Sequence, residues 1–163
     1  MNTIDATSKL PNLRIALVVS RYNDFVTDRL QAAALAALQT AQVPEESITL
    51  VRVPGAFELP SAARLAAETG QFDAIVCLGC LIRGATPHFE YIASAVAHGL
   101  TAASGETGVP ITFGVLTTNS VEEALERAGS GPDNKGWEAA AAAVEMAAVA
   151  AHLAPRNPGV VDG

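Results

Sequence analysis

Four nearly continuous apolar runs limit what this 163-residue chain can fold into more than any other feature. The runs cover Leu13 to Ser20, Ile48 to Val53, Ala74 to Ile82 and Ile111 to Thr117. None of them alternates cleanly between apolar and polar residues, as a strand with one face in water would. Strands that are buried on both faces have this composition, so the runs predict a parallel sheet covered by helices on each side.

Helical patterns lie between and after these runs, in the alternating order of an α/β domain. The expected helices cover Phe25 to Ala41, Glu58 to Gly70, Thr86 to Gly105, Ser120 to Gly129, and Lys135 to about Ala151. Thr86, Ser120 and Asn134 are expected to cap the last three. The prediction is therefore a three-layer α/β/α sandwich of the flavodoxin-like type, built on a four-stranded parallel sheet.

A single domain, residues 1–163, is expected, because the chain has ordinary domain length and contains no internal repeat or long linker. Its ends are expected to be loose: an N-terminal arm, 1–11, which could pair with a neighbouring subunit, and a C-terminal tail, 155–163. Half of the residues are hydrophobic, and many of these are alanine. Such a composition suits close helix packing and predicts large contacts between subunits.

The charge of the chain argues against several classes of partner. The net charge is -7 at pH 7, whereas nucleic acids and anionic membranes are bound by basic surfaces. The start, Met1 to Asp5, lacks the basic segment and apolar core of a secretory signal. The longest apolar stretch, Ala139 to Ala154, is shorter than the roughly 20 residues of a membrane span. We therefore expect a cytoplasmic protein that binds neither nucleic acid nor membrane.

Cys77 and Cys80 form a C-x-x-C pattern inside the third apolar run. Residues three apart on a strand point to opposite faces, so these two thiols cannot share a metal ion. They are expected to be buried free thiols, and no metal site is expected.

Chemically useful side chains follow three of the strands. Arg21-Tyr22-Asn23 follows the first, Gly55 to Glu58 the second, and Arg83 to His88 the third. Ligands of open α/β sheets bind at the carboxyl ends of the strands, so these loops predict a small-molecule site. Tyr22 and Phe57 could hold a flat ring there, although each aromatic taken singly is as well explained by the core.

The third loop has two features that suit an anionic substrate. Gly84-Ala85-Thr86 precedes a helix whose first amides are free to bind phosphate, although simple capping by Thr86 is the alternative. His88 follows, and an imidazole is suited to proton transfer near neutral pH. No G-x-x-x-x-G-K-[ST] or G-x-G-x-x-G pattern is present.

Arg83, Arg127 and Lys135 are the cations that could bind an anionic ligand. Arg127 lies about 10 Å along its helix from the strand end, at 1.5 Å per residue. Lys135 begins a helix, where a positive charge opposes the helix dipole. Both could complete a site on an adjoining subunit; otherwise all three are surface charges in solvated ion pairs.

Several segments, taken in order from about Leu13 to Ala151, resemble the 6,7-dimethyl-8-ribityllumazine synthase family. They are Arg21-Tyr22-Asn23, Val53 to Pro60, Leu78 to Tyr91, Gly114 to Thr118 and Asn134-Lys135-Gly136. The resemblance implies a transferase for the penultimate step of riboflavin biosynthesis. The reaction condenses 5-amino-6-(D-ribitylamino)uracil with 3,4-dihydroxy-2-butanone 4-phosphate and releases phosphate and water, with no cofactor or metal.

The resemblance also implies residue roles within one subunit. His88 is the expected general acid and base. Tyr22 would stack on the pyrimidine, and Gly84, Ala85 and Thr86 would hold the phosphate. The ring and the ribityl chain would be bound by Ala56, Phe57, Glu58, Cys80, Leu81 and Ile82.

A neighbouring subunit would supply the remaining residues, by the same resemblance. Arg127 would bind the phosphate, with Phe113 and Lys135 beside the substrates. Arg83 and Glu138 are expected to support the site, Glu138 by orienting His88. Three of the site residues depart from the family pattern: Tyr22 stands where Phe or Trp is usual, Cys80 where Thr is common, and Glu138 where Asp often lies.

Members of this family assemble as pentamers, decamers or shells of sixty subunits. A homopentamer is therefore expected, and the link from Gly129 to Asn134, which has no insertion, is compatible with a shell. Two alternatives remain open. One is a non-catalytic flavin-binding or shell-forming relative. The other is an unrelated flavodoxin-like signalling domain, which would carry a phospho-acceptor Asp where Ser20-Arg21-Tyr22 stands.

Overall fold

A computed structural model describes residues 1–5 and 10–155 of the chain. The strands are β1 (Ile15–Ser20), β2 (Ile48–Val53), β3 (Ala74–Ile82) and β4 (Ile111–Thr118). The helices are α1 (Asp24–Thr40), α2 (Leu59–Glu68), α3 (His88–Thr107), α4 (Val121–Arg127) and α5 (Lys135–Leu153), with short 3-10 turns at Glu45–Ser47 and Ala56–Glu58. Residues 6–9 of the expected arm and 156–163 of the expected tail lie outside the described residues.

The strands form one sheet in the order β2-β1-β3-β4, and every neighbouring pair is parallel. Alternate residues of β1 face the two helical layers: Ile15 and Leu17 pack with α1, α4 and α5, whereas Ala16 and Val18 pack with α2 and α3. All six residues of β1 are buried, because both of its faces are covered. The predicted three-layer α/β/α sandwich of the flavodoxin-like type is therefore confirmed.

The ends of two strands differ slightly from the prediction. β1 begins at Ile15 rather than Leu13, after Asn12 takes a positive φ of 57°. The amide of Arg14 donates to Asp73 Oδ2 at 2.8 Å instead of extending the ladder. β4 runs one residue further than expected, because Thr118 still pairs with Ile82.

The start of α3 was predicted wrongly. Thr86 does not cap this helix; Pro87 is the cap residue, no side-chain cap bond is made, and the helix begins at His88. The helix also continues past Gly105 to Thr107, where Gly108 ends it with a φ of 74°. This makes His88 the first helical residue rather than the second.

The caps of α4 and α5 were predicted correctly. Ser120 Oγ accepts a hydrogen bond from the amide of Glu123 at 3.1 Å, and Asn134 Oδ1 accepts one from the amide of Gly136 at 2.7 Å. The Glu123 carboxylate accepts from the amide of Asn119 at 2.8 Å, so it extends the turn between β4 and α4. No helix among residues 1–5 and 10–155 is both long enough and apolar enough for a membrane span.

Gly136, at the second position of α5, sets how closely α5 approaches α1. A Cβ atom at this position would overlap the backbone carbonyl of Leu30 in α1. The backbone of α1 cannot yield as a flexible side chain would, so only glycine allows this contact. The same contact fixes the start of α5, and with it the position of Lys135.

Replacing Gly136 by alanine should therefore destabilise the protein, although alanine normally favours helices. We expect Gly136→Ala to lower the free energy of unfolding by about 1 to 3 kcal/mol, as overpacking does. Gly105→Ala is the matched control, since nothing lies within 4 Å of a Cβ there; it should raise stability by roughly 0.5 kcal/mol or more. Urea unfolding of both variants measures this, and a Gly136→Ala protein as stable as wild type would refute the packing argument.

Candidate active site

A cavity of about 370 Å³ lies at the carboxyl ends of β1, β2 and β3. Its walls come from the three loops singled out by the sequence and from the first turns of α3. The lining residues are Tyr22, Asn23, Gly55, Ala56, Phe57, Glu58, Cys80, Leu81, Ile82, Gly84, Thr86, His88, Phe89 and Ile92. We call this cavity the first cavity. It brings together all the ring-binding, ribityl-binding and proton-transfer residues expected from a single subunit, and two of the three expected in the phosphate turn.

Backbone hydrogen bonds fix the loop that carries Tyr22. The amides of Arg21 and Tyr22 donate to the carbonyls of Val53 and Pro54, at 2.8 and 3.0 Å, which joins the loops after β1 and β2. Asn23, with a φ of 63°, donates its side-chain amide to the carbonyl of Cys80 at 2.9 Å. The loop is therefore attached to both neighbouring strands.

Two of the aromatic residues of the first cavity, Tyr22 and Phe57, are surface residues of the chain. Tyr22 is 73% exposed and Phe57 is 61% exposed, so neither is explained as core. An exposed aromatic ring beside a cavity can pack on a flat heterocycle. Both rings are therefore available to a planar ligand in this cavity.

The turn after β2 orients the carboxylate of Glu58. Glu58 Oε2 accepts a hydrogen bond from the amide of Gly55 at 3.0 Å, which closes the turn on itself. The carboxylate faces the first cavity beside the buried residue Ala56. It can accept hydrogen bonds from ligand hydroxyl or amine groups.

The turn from Gly84 to Thr86 and the start of α3 form the polar end of the first cavity. The amides of Glu90 and Tyr91 bond to the carbonyl of Pro87 at 3.1 and 3.4 Å, so the amides of His88 and Phe89 have no partner within the helix. Free amides at a helix start favour an anion. Gly84 and Thr86 line the cavity beside them, whereas Ala85 is exposed outside it.

The imidazole of His88 is available for chemistry. His88 is exposed at the first cavity, and its ring makes no hydrogen bond or ion pair within the described parts of the chain. An unengaged imidazole can both accept and donate a proton. His98 differs, because its Nδ1 lies 2.8 Å from the carbonyl of Ser94 one turn earlier.

Arg83 is not among the residues that line the first cavity. Its guanidinium donates to Glu90 Oε1 at 2.6 Å and to Asn119 Oδ1 at 2.9 Å, and it lies 4.7 Å from the centre of the Phe89 ring. Its amide donates to the carbonyl of Thr118 at 2.8 Å. Arg83 therefore connects the loop between β3 and α3 to its neighbours, and its charge is already paired with Glu90.

The remaining expected site residues line a different cavity of about 440 Å³ beside the edge strand β4. Its walls are Phe113, Val115, Leu116, Thr117, Arg127, Asp133, Lys135 and Glu138. We call it the second cavity. It shares no lining residue with the first, so one chain does not bring the two groups of expected site residues together.

The charged groups of the second cavity differ in their engagement. Lys135 Nζ lies 3.4 Å from Glu138 Oε2, so Glu138 contacts Lys135, and not His88, within the chain. The Arg127 guanidinium is exposed and has no hydrogen-bond or ion-pair partner in the described ranges. Arg127 is thus a cation ready to bind an anion.

Some lining residues had no role in the sequence-based prediction. Phe89 and Ile92 lie in the predicted third helix; both are half-buried and line the first cavity. Asn23 belonged to a family segment and Asp133 to the link from Gly129 to Asn134, and neither had an assigned function. The spacing of Ile92, four residues after His88, is the signal that could have placed it on the cavity face.

Comparison with known proteins relates the whole of this arrangement to one family. A family model described as 6,7-dimethyl-8-ribityllumazine synthase matches residues 12–151, which include every residue that lines the two cavities. A 6,7-dimethyl-8-ribityllumazine synthase from Syntrophus aciditrophicus (strain SB) is 52% identical over 134 residues, covering 82% of this chain and 87% of that protein.

The cysteines were predicted correctly as buried free thiols. Cys77 packs with the α2 and α3 layer, and Cys80 with the opposite layer. Burial raises the pKa of Cys80 to about 11 and that of Cys77 further, because a thiolate is poorly solvated there. Among the described residues, no three His, Cys, Asp or Glu side chains are grouped as a metal site would require.

Both thiols should react slowly with a disulfide reagent at pH 7, because only the thiolate attacks. With its pKa at about 11, Cys80 would be about one part in ten thousand thiolate at that pH. Labelling followed by mass spectrometry should show Cys80 reacting before Cys77 as the pH rises, with both fast in urea as the control. Rapid labelling at pH 7, or Cys77 reacting first, would contradict the assignment.

Proposed function

The chain belongs to the 6,7-dimethyl-8-ribityllumazine synthase family, and we propose that its reaction takes place where the first cavity of one copy meets the second cavity of another. The protein is a transferase of riboflavin biosynthesis. It condenses 5-amino-6-(D-ribitylamino)uracil with 3,4-dihydroxy-2-butanone 4-phosphate to 6,7-dimethyl-8-ribityllumazine, and releases phosphate and water. The non-catalytic alternative is not favoured.

The observation that carries the two-chain proposal is that each cavity lacks what the other holds. The first cavity offers an imidazole and free helix amides, but no Lys or Arg of the described residues lines it. The second offers the guanidinium of Arg127, which is unpaired within the described residues, beside Lys135. A phosphate ester needs both kinds of group, because helix amides position the anion and a guanidinium neutralises it.

The substrate groups divide between the two cavities accordingly. Tyr22 and Phe57 hold the pyrimidine ring, with Phe113 of the adjoining copy beside it. Ala56 and Glu58 bind the ring and ribityl groups through backbone and carboxylate, and Cys80, Leu81 and Ile82 form the wall behind them. The phosphate lies against Gly84, Ala85 and Thr86, opposite Arg127.

The chemistry then proceeds by proton transfers at His88. The 5-amino group of the pyrimidine attacks the ketone, and loss of water gives an imine. Removal of the proton from the hydroxyl-bearing carbon next to the imine expels phosphate from the adjacent carbon and leaves an enol. The enol takes up a proton at its terminal carbon and becomes a methyl ketone. The ribityl-bearing nitrogen attacks this ketone, and loss of water closes the ring. His88 accepts and returns protons in these steps, because imidazole serves as both base and acid near neutral pH.

Lys135 and Glu138 serve the reaction from the adjoining copy. Lys135 lies near the incoming substrates, where its charge favours the phosphorylated one. Glu138 orients His88, exchanging its contact with Lys135 for one across the interface. Both roles rest on the family resemblance and on the position of these side chains in the second cavity.

Contact between unlike cavities makes the interface heterologous, and a heterologous interface forms a ring when the rotation between successive copies closes. The ring proposed is the homopentamer of the family, which can build a sixty-subunit shell. A cytoplasmic location is proposed with it, since its substrates are small molecules.

Removing the imidazole should slow turnover without unfolding the protein. We expect His88→Ala to lower kcat by about 10- to 1000-fold, the range of lost acid–base assistance. His98→Ala is the matched control on the same helix, and it should keep normal turnover. Formation of the fluorescent lumazine measures both, and normal turnover in His88→Ala would remove this residue from the mechanism.

Mixed assemblies test whether two chains share one site. Arg127→Ala alone should mainly raise the KM for the butanone phosphate. Subunits of Arg127→Ala and His88→Ala, refolded together in equal amounts, should form about a quarter of their interfaces from two intact halves. Activity at low substrate should therefore exceed that of either variant alone.

The control for this mixture replaces the His88→Ala partner by a chain that carries both substitutions. That partner supplies no intact Arg127, so no normal interface forms and no activity should return. Equal activity in the two mixtures would refute the shared site.

A further inference from the structure

We propose that Arg83 is a positioning residue for His88, which it holds in place by tying the first turn of α3 to the end of β4. The proposal rests on the proposed role of His88. It assigns Arg83 a mechanical part in the reaction, and no contact with substrate.

The segment that Arg83 spans, residues 84–88, is held by few other contacts. Residues 84–88 are all exposed, and α3 begins without a side-chain cap. Helix ends that lack caps open readily, because their terminal amides gain little from the helix. His88 lies at this end of α3. The position of its ring therefore depends on how firmly the first turn of the helix is held.

The side chain of Arg83 closes this segment from both directions. Its Nη1 donates to Glu90 and its guanidinium packs on the Phe89 ring. The side chain thus contacts the two residues that follow His88. Its Nε donates to Asn119 at the end of β4, where its own amide is also bonded. A planar guanidinium can make these contacts at once, whereas an ammonium cannot.

These contacts set geometry more than stability. Arg83 and Glu90 side chains are 45% and 62% exposed, and exposed ion pairs contribute little to the folded state. Their loss should leave the sheet and the core of α3 intact. The position of residues 84–90 should change instead.

The first experiment compares two arginines of similar surroundings. Arg64, on α2, bridges Glu68 and Glu106 and has a side chain 46% exposed, but its partners lie far from the first cavity along their helices. Arg83→Met should lower kcat about 10- to 100-fold, as small misplacements of a catalytic group do. Arg83→Lys should lower kcat as well, although it keeps the charge. Arg64→Met should leave kcat unchanged.

Glu90→Gln separates positioning from direct phosphate binding. If Arg83 positions His88, Glu90→Gln lowers kcat too, and the Arg83→Met/Glu90→Gln double variant is no slower than the slower single variant. If Arg83 binds phosphate, Glu90→Gln frees it, and the KM for the butanone phosphate falls while Arg83→Met raises it. That second result would overturn the proposal.

Hydrogen exchange measures how firmly the same segment is held, independently of catalytic activity. Amide exchange of residues 84–90, measured by mass spectrometry on the assembled protein, should accelerate in Arg83→Met and not in Arg64→Met. Unchanged exchange in Arg83→Met, or unchanged kcat, overturns the proposal. An inactive wild-type protein or a fully active His88→Ala variant would contradict the proposed function instead, and the exchange result would still decide whether Arg83 holds the segment.

Discussion

The parallel pairing of β3 with both β1 and β4 is the constraint on which the rest of the structure depends. β3 is the longest strand, and its central position lets it carry groups from both sides of the sheet to one place. On the β1 side, the side-chain amide of Asn23 donates to the carbonyl of Cys80 near the end of β3. On the β4 side, the carbonyl of Thr118 accepts a hydrogen bond from the amide of Arg83, which directly follows β3. The first cavity lies at this junction, so its geometry follows from strand register more than from any loop.

In the proposed two-chain site, a separation of charges accounts for the need for a second copy. The chain is acidic, and the cation nearest to the phosphate turn, Arg83, has its Nε and Nη1 engaged by Asn119 and Glu90. Arg127 is unpaired within the described residues, but it lies at the second cavity. A phosphate ester in the first cavity would therefore find helix amides without a free guanidinium. In the proposed site, Arg127 of the adjoining copy supplies the missing charge, so assembly is a condition of the proposed chemistry.

The sequence predicted the sheet well because its signal is local. The apolar run of β3 gave its observed bounds, since strands buried on both faces require apolar residues throughout. β2 also has its predicted bounds, but it lies at the edge of the sheet and only Val53 in it is buried. The helix caps Ser120 and Asn134 were also predicted from the sequence, because each bonds to a backbone amide two or three residues away. The residues of the first cavity were accessible through the same strand ends and the family segments.

Features that depend on contacts between distant segments could not be predicted. The start of α3 was placed at Thr86, whereas the helix begins at His88. Arg83, which precedes the helix, contacts Glu90 in its first turn and Asn119 after β4. Gly136 was recognised within a family segment, yet its reason lies in the carbonyl of Leu30, more than a hundred residues earlier. The division of the expected site between two subunits was implied by the family resemblance, and the structure adds that the second group lines a separate cavity beside β4. The most direct test is a cryo-EM structure of the assembled protein with inorganic phosphate. The account predicts phosphate bound between the Gly84–Thr86 turn of one copy and Arg127 of the adjoining copy; phosphate bound at that turn with every Arg127 facing solvent would contradict it.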